Sequence, residues 1–381
     1  MTPRIISIGR AVPPGTLDQV EALQLAEQCC AGSPEEADRL RRLFQRSGVN
    51  TRQFVVARSG HSQPAGHQSN GHGAPPTLLD EPIVPFFPPR LHDDDLGPTT
   101  GERLCVYEQF AGALAHRATA EALQRAGCAS DRITHLITVS CTGMRAPGVD
   151  IALIESLGLP REVRRAHVGF MGCHAAINAL RLASDACRAD AGAVVLVVCV
   201  ELCSVHFQYR GQGDRLLANS LFADGSAAAI VTSAEDCGGT SSIALCDFAS
   251  TILPDSQECM TWSIGDHGFE MTLALDVPGR IGAAIRPWME QWLARRNLTV
   301  DDVGSWAVHP GGPRILDAFA GALGLDGQAL DASRQVLSRF GNMSSPTVLF
   351  ILDELLRANA PQPMVAIAFG PGLTIEAVLA G

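Results

Sequence analysis

The 381-residue chain contains no lysine; all 29 of its basic residues are arginines. That excludes a lysine Schiff base, and with it covalently held pyridoxal phosphate, as well as a phosphate loop of the GxxxxGK[ST] type. No CxxC pair occurs either, so nothing in the cysteine spacing supports a structural zinc and no metal is expected. The twelve cysteines are scattered through apolar segments with no regular framework, which points to free thiols in a reducing, cytoplasmic setting. The opening MTPRIISIGRAVPP lacks the sustained apolar core of a signal peptide. The longest apolar run, AGAVVLVVCVEL at 191–202, is too short to span a bilayer, so stable membrane insertion is not expected. Positive charge is scarce as well: the formal net charge is −11, which argues against nucleic-acid binding as the main role. An anionic ligand would have to be met by a local cluster of arginines.

What is present is a well-buried globular composition, 46% hydrophobic and 18% charged, in a length that suits two domains or one large duplicated α/β unit. RIISIGRAVP reads as a strand, and LDQVEALQLAEQCC and PEEADRLRRLFQRSG read as helices. From about 59 to 98 the texture turns to Gly, Pro, His and Ser, the mark of a long irregular insertion. His61, His67, His72 and His92 fall in it with no carboxylates at a defined spacing, so a solvated insertion is the better reading than a metal site. TTGERLCVYEQFAGALAHRATAEALQRAG predicts a long helix capped by Thr99 or Thr100. HLITVSCT, AVVLVVCVEL and SAAAIVTS read as buried strands. The second half repeats the mixture: SIALCDFAS, a helix over PGRIGAAIRPWMEQWLARRN, the strand SWAVHP, helices after GGPRILD and NMSSP, and MVAIAFG as the final strand. Two similar α/β halves packed together follow, divided at 235/236.

Three turns could carry chemistry. In GFMGCHAAINALRLA, Cys173 follows Gly172 at the start of a helix, where unpaired N–H groups and the helix dipole favour a thiolate. Taken alone, a buried structural cysteine is the commoner case. In WAVHPGGPRILDAF, His309 ends an apolar strand before a Pro-Gly-Gly-Pro turn, a place where α/β proteins put functional groups, or where a core histidine bonds backbone. In FGNMSSPTVLFILDEL, Asn342 either caps the following helix or donates inward. A thiol and two donors, each on a tight turn, suit thioester chemistry with charge stabilised on a carbonyl oxygen. No acidic third member is apparent, so a hydrolytic triad fits less well.

GFMGCHAAINALRLA, VHPGGPRILD, FGNMSSPTVLFILDE, SLFADGSAAAIV and AFGPGLTIEAVL resemble the chalcone-synthase-like type III polyketide synthases, over the whole chain except the 59–98 insertion. The resemblance implies the thiolase fold, five layers αβαβα from two similar halves, working as a homodimer. It implies condensation of an acyl-CoA starter with malonyl-CoA, with CoA thioesters as substrates and no cofactor. Cys173 would carry the growing chain, His309 would keep it as thiolate, and His309 with Asn342 would bind the malonyl thioester oxygen during decarboxylation. Phe222 matches a gatekeeping phenylalanine, Met271 falls at a second one, Gly370, Pro371 and Gly372 match the cyclisation loop, and Ser344 falls at a cavity position.

Departures from the plant pattern bear on the substrate. Cys141 and Ala146 stand where plant enzymes have threonine and methionine, and Trp262 where they have glycine. SCTG, ELCSVHFQ and WSIGDHGFEM look more like bacterial synthases of alkylpyrones and alkylresorcinols, in which small residues matching Thr142, Ala146 and Cys203 leave room for a fatty-acyl tunnel. His206, bulkier than the plant threonine, either redirects the product or is bonded near a strand end. Arg46, Arg52 and Arg314, with Gly311, are the candidates for the CoA phosphates. A chalcone-synthase-like enzyme with another starter and a β-ketoacyl carrier-protein synthase III are alternatives; VHPGGP and GPGLT argue against the latter. A catalytically silent scaffold of the same fold is disfavoured by the intact Cys173, His309 and Asn342.

Overall fold

The computed structural model describes residues 2–56, 86–92, 94–209, 214–234 and 242–381. His61, His67, His72, most of the 59–98 insertion and the expected boundary at 235/236 lie outside the described residues; His92 is exposed in an irregular segment.

The first part of the chain runs β1 (Arg4–Ala11), β2 (Leu17–Asp18), α1 (Gln19–Cys30), α2 (Pro34–Arg46), β3 (Thr51–Arg52), α3 (Thr100–Ala126), β4 (His135–Ser140), α4 (Val149–Leu157), β5 (Arg164–Gly169), α5 (Ala175–Ala189), β6 (Val194–Leu202), α6 (Asp214–Leu221) and β7 (Asp224–Thr232). The second runs β8 (Ile243–Ile252), β9 (Met260–Gly265), β10 (Gly268–Leu273), α7 (Val277–Ala294), β11 (Ser305–Val308), α8 (Pro313–Leu323), α9 (Asp331–Phe340), α10 (Pro346–Arg357), β12 (Met364–Gly370) and β13 (Thr374–Ala380). The main sheet has the order β11-β12-β13-β8-β1-β7-β6-β4-β5. Its middle joint is thin, since β1 and β8 share the pairs Arg4 with Ala244 and Ile5 with Ile243. The strands on either side therefore act as two sheets.

Between those sheets lie α5 and α10, each touching strands of both. α10 is buried along Pro346–Asp353, apolar but for Thr347 and the ion-paired Asp353, as a helix enclosed by two sheets requires. α3 covers the far face of β1, β6 and β7. α7 and α8 cover the other sheet, where Ile281, Ile285, Leu316 and Phe319 pack with Ile367 and Ile375. The result is the αβαβα layering expected from the resemblance. Local signals account for the elements read correctly: β6 is an unbroken buried VVLVVCVEL, and α3 opens on a Thr99/Glu102 capping box and closes on Gly127 in the left-handed region.

One expectation fails: MVAIAFG is not the last strand. The chain turns after Gly370 and returns as β13, antiparallel to β12 and to β8. Glu376 masks β13 in the sequence, yet it is buried and accepts from Ser250 Oγ at 2.7 Å and from Arg181.

Candidate active site

Cys173 sits in a single turn, Gly172–His174, between β5 and α5. Phe170, three residues earlier, holds φ 57°, a strained conformation for a bulky residue. Two glycines let this turn meet the one after β12. A Cβ on Gly172, itself at φ 74°, would lie 2.5 Å from Pro371 Cδ, and one on Gly370 would lie 2.3 Å from His174 Cδ2. The Gly172 N–H donates to Cys141 Sγ at 3.1 Å.

Asn342 is fixed by backbone. Its N–H donates to the Leu221 carbonyl and its carbonyl accepts from Ala223 N–H, both at 2.9 Å, forming a parallel bridge with Phe222. Its Oδ1 accepts from Ser344 N–H at 2.8 Å, and Ser344 is held at φ 57°. Asn342 therefore does not cap α10, whose N-cap is Ser345; it is buried near the Cys173 sulfur and favours its ionised form. His309 follows β11, with its N–H donating to the Ile367 carbonyl at 2.8 Å. The imidazole is buried beside His174, and neither ring nitrogen has a partner among the described residues. A core histidine satisfied by backbone is thus not what the fold builds here.

Burial dominates the electrostatics. It pushes the Cys173 thiol up to about 11, against the hydrogen bonds from Ser344 and Asn342 that favour the thiolate; the nearby Glu201 carboxyl adds to the rise. It pushes His309 down to about 3, with the His174 ring in the same direction. The expected place of Cys173 at the helix N-terminus is shifted: α5 starts at Ala175 with His174 as its N-cap, so the half-buried Cys173 lies one residue ahead of the cap. Each group taken alone is neutral.

A buried acid does lie near the cavity, but it is not a third member bonded to His309. Glu201, fully buried at the end of β6, accepts from Cys141 N–H at 2.9 Å, Thr142 Oγ1 at 2.7 Å and Ser345 Oγ at 2.7 Å. The signal was present in ELCSVHFQ: a lone glutamate closing an apolar strand stays only if partners surround it. Burial raises its carboxyl to about 7, and does the same to Asp224, which binds Ser204 and the Val55 N–H. Both carboxyls hold a proton more tightly folded than unfolded. Their contribution to stability is full below about pH 4 and is lost as pH rises through about 7. The buried neutral His206 and His309 act in the opposite sense below about pH 6.5, so Glu201 is read by difference: from pH 5 to pH 8 the wild-type Tm should fall relative to that of Glu201→Gln. A Tm difference between the two proteins that stays constant over this window would show Glu201 ionised in the fold.

The narrow cavity above Cys173 is walled by Cys141, Thr142, Cys203, Phe222, Met271 and Trp262, with Ser344 and Pro371. Trp262 is pinned by Nε1–H donating to the Cys141 carbonyl at 2.8 Å. His206 lines an adjoining space of about 390 Å³. Its Nε2–H donates to the Thr142 carbonyl at 2.7 Å, its Nδ1 accepts from Phe269 N–H at 3.0 Å, and the ring stacks on Phe269 at 4.1 Å. Burial holds it neutral, down to about 3, so it shapes the wall and moves no proton. Ala146 does not join Thr142 and Cys203: it is exposed in the single chain and lines a separate groove, because the loop after β4 runs outward before α4.

Models of the chalcone and stilbene synthases match this chain twice, the N-terminal domain over residues 89–235 and the C-terminal domain over 245–381. The chain belongs to the chalcone and stilbene synthase family. It is 30% identical over 352 residues to "Alpha-pyrone synthesis polyketide synthase-like Pks18" of Mycobacterium tuberculosis and of Mycobacterium bovis, covering 91% of this chain and 83% of that protein. The crystal structure of PKS-I from the brown alga Ectocarpus siliculosus superposes with a TM-score of 0.86 at 29% identity, covering 100% of this chain and 98% of that one. The C-terminal type III polyketide synthase domain of Steely1 from Dictyostelium superposes at 0.85 with 26% identity, covering 100% and 99%. The fold is the thiolase fold, and the protein is an acyltransferase of the type III polyketide synthase class, cofactor-independent and working on CoA thioesters.

Within this synthase the three candidate arginines separate. Arg46 and Arg314 are exposed and have no ion pair among the described residues. They flank one junction, where a Cβ on Gly48 would stand 3.7 Å from Pro313 Cγ, and Gly311 lies in the same turn. Arg52 is different: it is fully buried, with both Nη atoms engaged by backbone carbonyls and the Gln19 side chain, and cannot meet a phosphate. No cluster of metal-ligating side chains occurs among the described residues, and no described helix is long and apolar enough to cross a membrane.

Proposed function

We propose that this synthase loads a medium- or long-chain fatty acyl-CoA onto Cys173, extends it with malonyl-CoA, and cyclises the product to an alkylpyrone or alkylresorcinol. The observation that carries this reading is the apolar wall of the cavity over the sulfur, formed by Cys141, Cys203, Met260, Met271, Phe222 and Trp262. Its likeness to a protein named for α-pyrone synthesis supports the same product class. Carbon dioxide loss from a malonyl thioester leaves an enolate whose oxygen needs aimed donors in a dry site. The unpartnered ring of His309 and the inward amide of Asn342 suit that task. Arg46 and Arg314 are proposed to meet the CoA phosphates. A homodimer is part of this reading, supported by β5, the terminal strand of the sheet, which leaves an exposed edge beside Met144 and Met171. So is a cytoplasmic location, where thiols stay reduced.

Acyl-CoAs of graded length with malonyl-CoA, and products identified by mass, test the proposal. Each buried methylene is worth about 0.8 kcal/mol, so kcat/KM should rise up to about fourfold per CH₂ until the cavity fills. Trp262→Gly should extend that rise to longer chains. A preference for short aromatic starters would refute the apolar-wall argument, and extension only from a carrier-protein thioester would favour the synthase III alternative.

A further inference from the structure

The guanidinium of Arg52 lies against the C-terminal end of α6. The last carbonyls of a helix lack intrahelical donors. Here Nη1 donates to the Asn219 and Phe222 carbonyls at 3.0 and 3.1 Å, and Nη2 to the Ser220 carbonyl at 2.5 Å and to Gln19 Oε1 at 2.6 Å. The one carbonyl skipped in this run, Leu221, accepts the Asn342 N–H. Four consecutive carbonyls are thus shared between one buried arginine and the backbone of Asn342.

From this geometry we propose that Arg52 is a positioning residue: by gathering the 219, 220 and 222 carbonyls it presents the 221 carbonyl to Asn342 and so fixes the Phe222–Asn342 bridge that aims the amide at the reacting thioester. The rings of Phe44 and Phe54 lie 5.6 and 5.8 Å from its guanidinium carbon and leave it no room to swing. No carboxylate among the described residues pairs with it, so carbonyl dipoles, the Gln19 amide oxygen included, hold the buried charge. Burial alone draws its pKa down to about 9, and it stays a cation at neutral pH. Lysine cannot replace it, because a tetrahedral ammonium cannot bridge three carbonyls in the plane of a fork.

The inference rests on the reading of Asn342 as a donor in decarboxylation, so Asn342→Ala is the reference arm. For Arg52→Lys, the rate of carbon dioxide release from malonyl-CoA should fall about tenfold or more with KM changed less than about twofold, since misaiming by about an ångström costs rate and not binding. Acylation of Cys173 by the starter, read by intact-protein mass, should persist. Gln19→Leu removes one bond and leaves the guanidinium in place; it should shift kcat in the same direction by about threefold and keeps the test open should Arg52→Lys fold poorly. A rise in KM with kcat intact would overturn the proposal in favour of a CoA contact. So would a rate loss that only tracks the folded fraction measured by circular dichroism. If Asn342→Ala is impaired while both other variants are not, the inference alone falls; if Asn342→Ala decarboxylates normally, the reading beneath it falls too.

Discussion

A Cys173→Ala enzyme is expected to make no polyketide while still releasing carbon dioxide from malonyl-CoA. The covalent carrier of the chain is removed, and loss of a nucleophile costs at least about 10³-fold in turnover. Cys141 and Cys203 line the same cavity but cannot take over. Burial raises both thiols well above the ordinary range, with Glu201 adding to the rise. The Cys141 sulfur is further engaged by the Gly172 N–H. Decarboxylation needs donors at the thioester oxygen, and in the proposed function these are His309 and Asn342, which the substitution does not touch. The sulfur lies in a turn locked by Gly172 against Pro371, so alanine fits without moving the backbone. Product analysis by mass and a carbon dioxide assay on the same preparation separate the two steps. Product formed at the wild-type rate would remove Cys173 from the mechanism. Product and carbon dioxide release lost together, in a folded enzyme, would place the sulfur in decarboxylation as well.

The parts of the site that were legible are those whose signal is local. Cys173, His309 and Asn342 each stand on a glycine-marked turn before or after a strongly apolar element, and periodicity places those elements well. What escaped depends on contacts between distant segments. Glu201 reads as a polar residue at a strand end, and only the fold shows Cys141, Thr142 and Ser345 closing around it. Arg52 reads as a surface charge in FQRSGVNTR, because nothing in that stretch reveals that α6 will lay its carbonyls over it. Ala146 shares a loop with Thr142 but leaves the cavity, since the chain turns outward at Gly143. β5 and β13 were missed for a related reason: an exposed edge strand rich in arginine and a strand carrying a paired glutamate both break the alternation that marks a strand.

The second large effect concerns the proton on Cys173. With its sulfur raised to about 11 and the His309 ring lowered to about 3, neither group ionises by itself near neutral pH. Moving the proton from sulfur to imidazole changes the problem, because two opposite charges formed together attract strongly where water is absent. The proposed function makes the His309 ring its acceptor, and no acceptor or donor among the described residues competes for either nitrogen. Removing the ring leaves the thiol with burial set against the Ser344 and Asn342 hydrogen bonds. A raised thiol pKa means that thiolate appears only as pH climbs, tenfold per unit, until about 11 is reached. In His309→Ala, alkylation of Cys173 by iodoacetamide should therefore rise tenfold per pH unit from 7 to 10 with no plateau. At pH 7 it should run about 100-fold or more below wild type, whose rate levels off at lower pH. Decarboxylation and product formation should fall with it, by at least about 10²-fold, since the proposed function also makes this ring a donor to the thioester oxygen. Superimposable alkylation profiles for the two enzymes would show that His309 takes no proton from Cys173, and the thiolate would then have to arise from Ser344 and Asn342 alone.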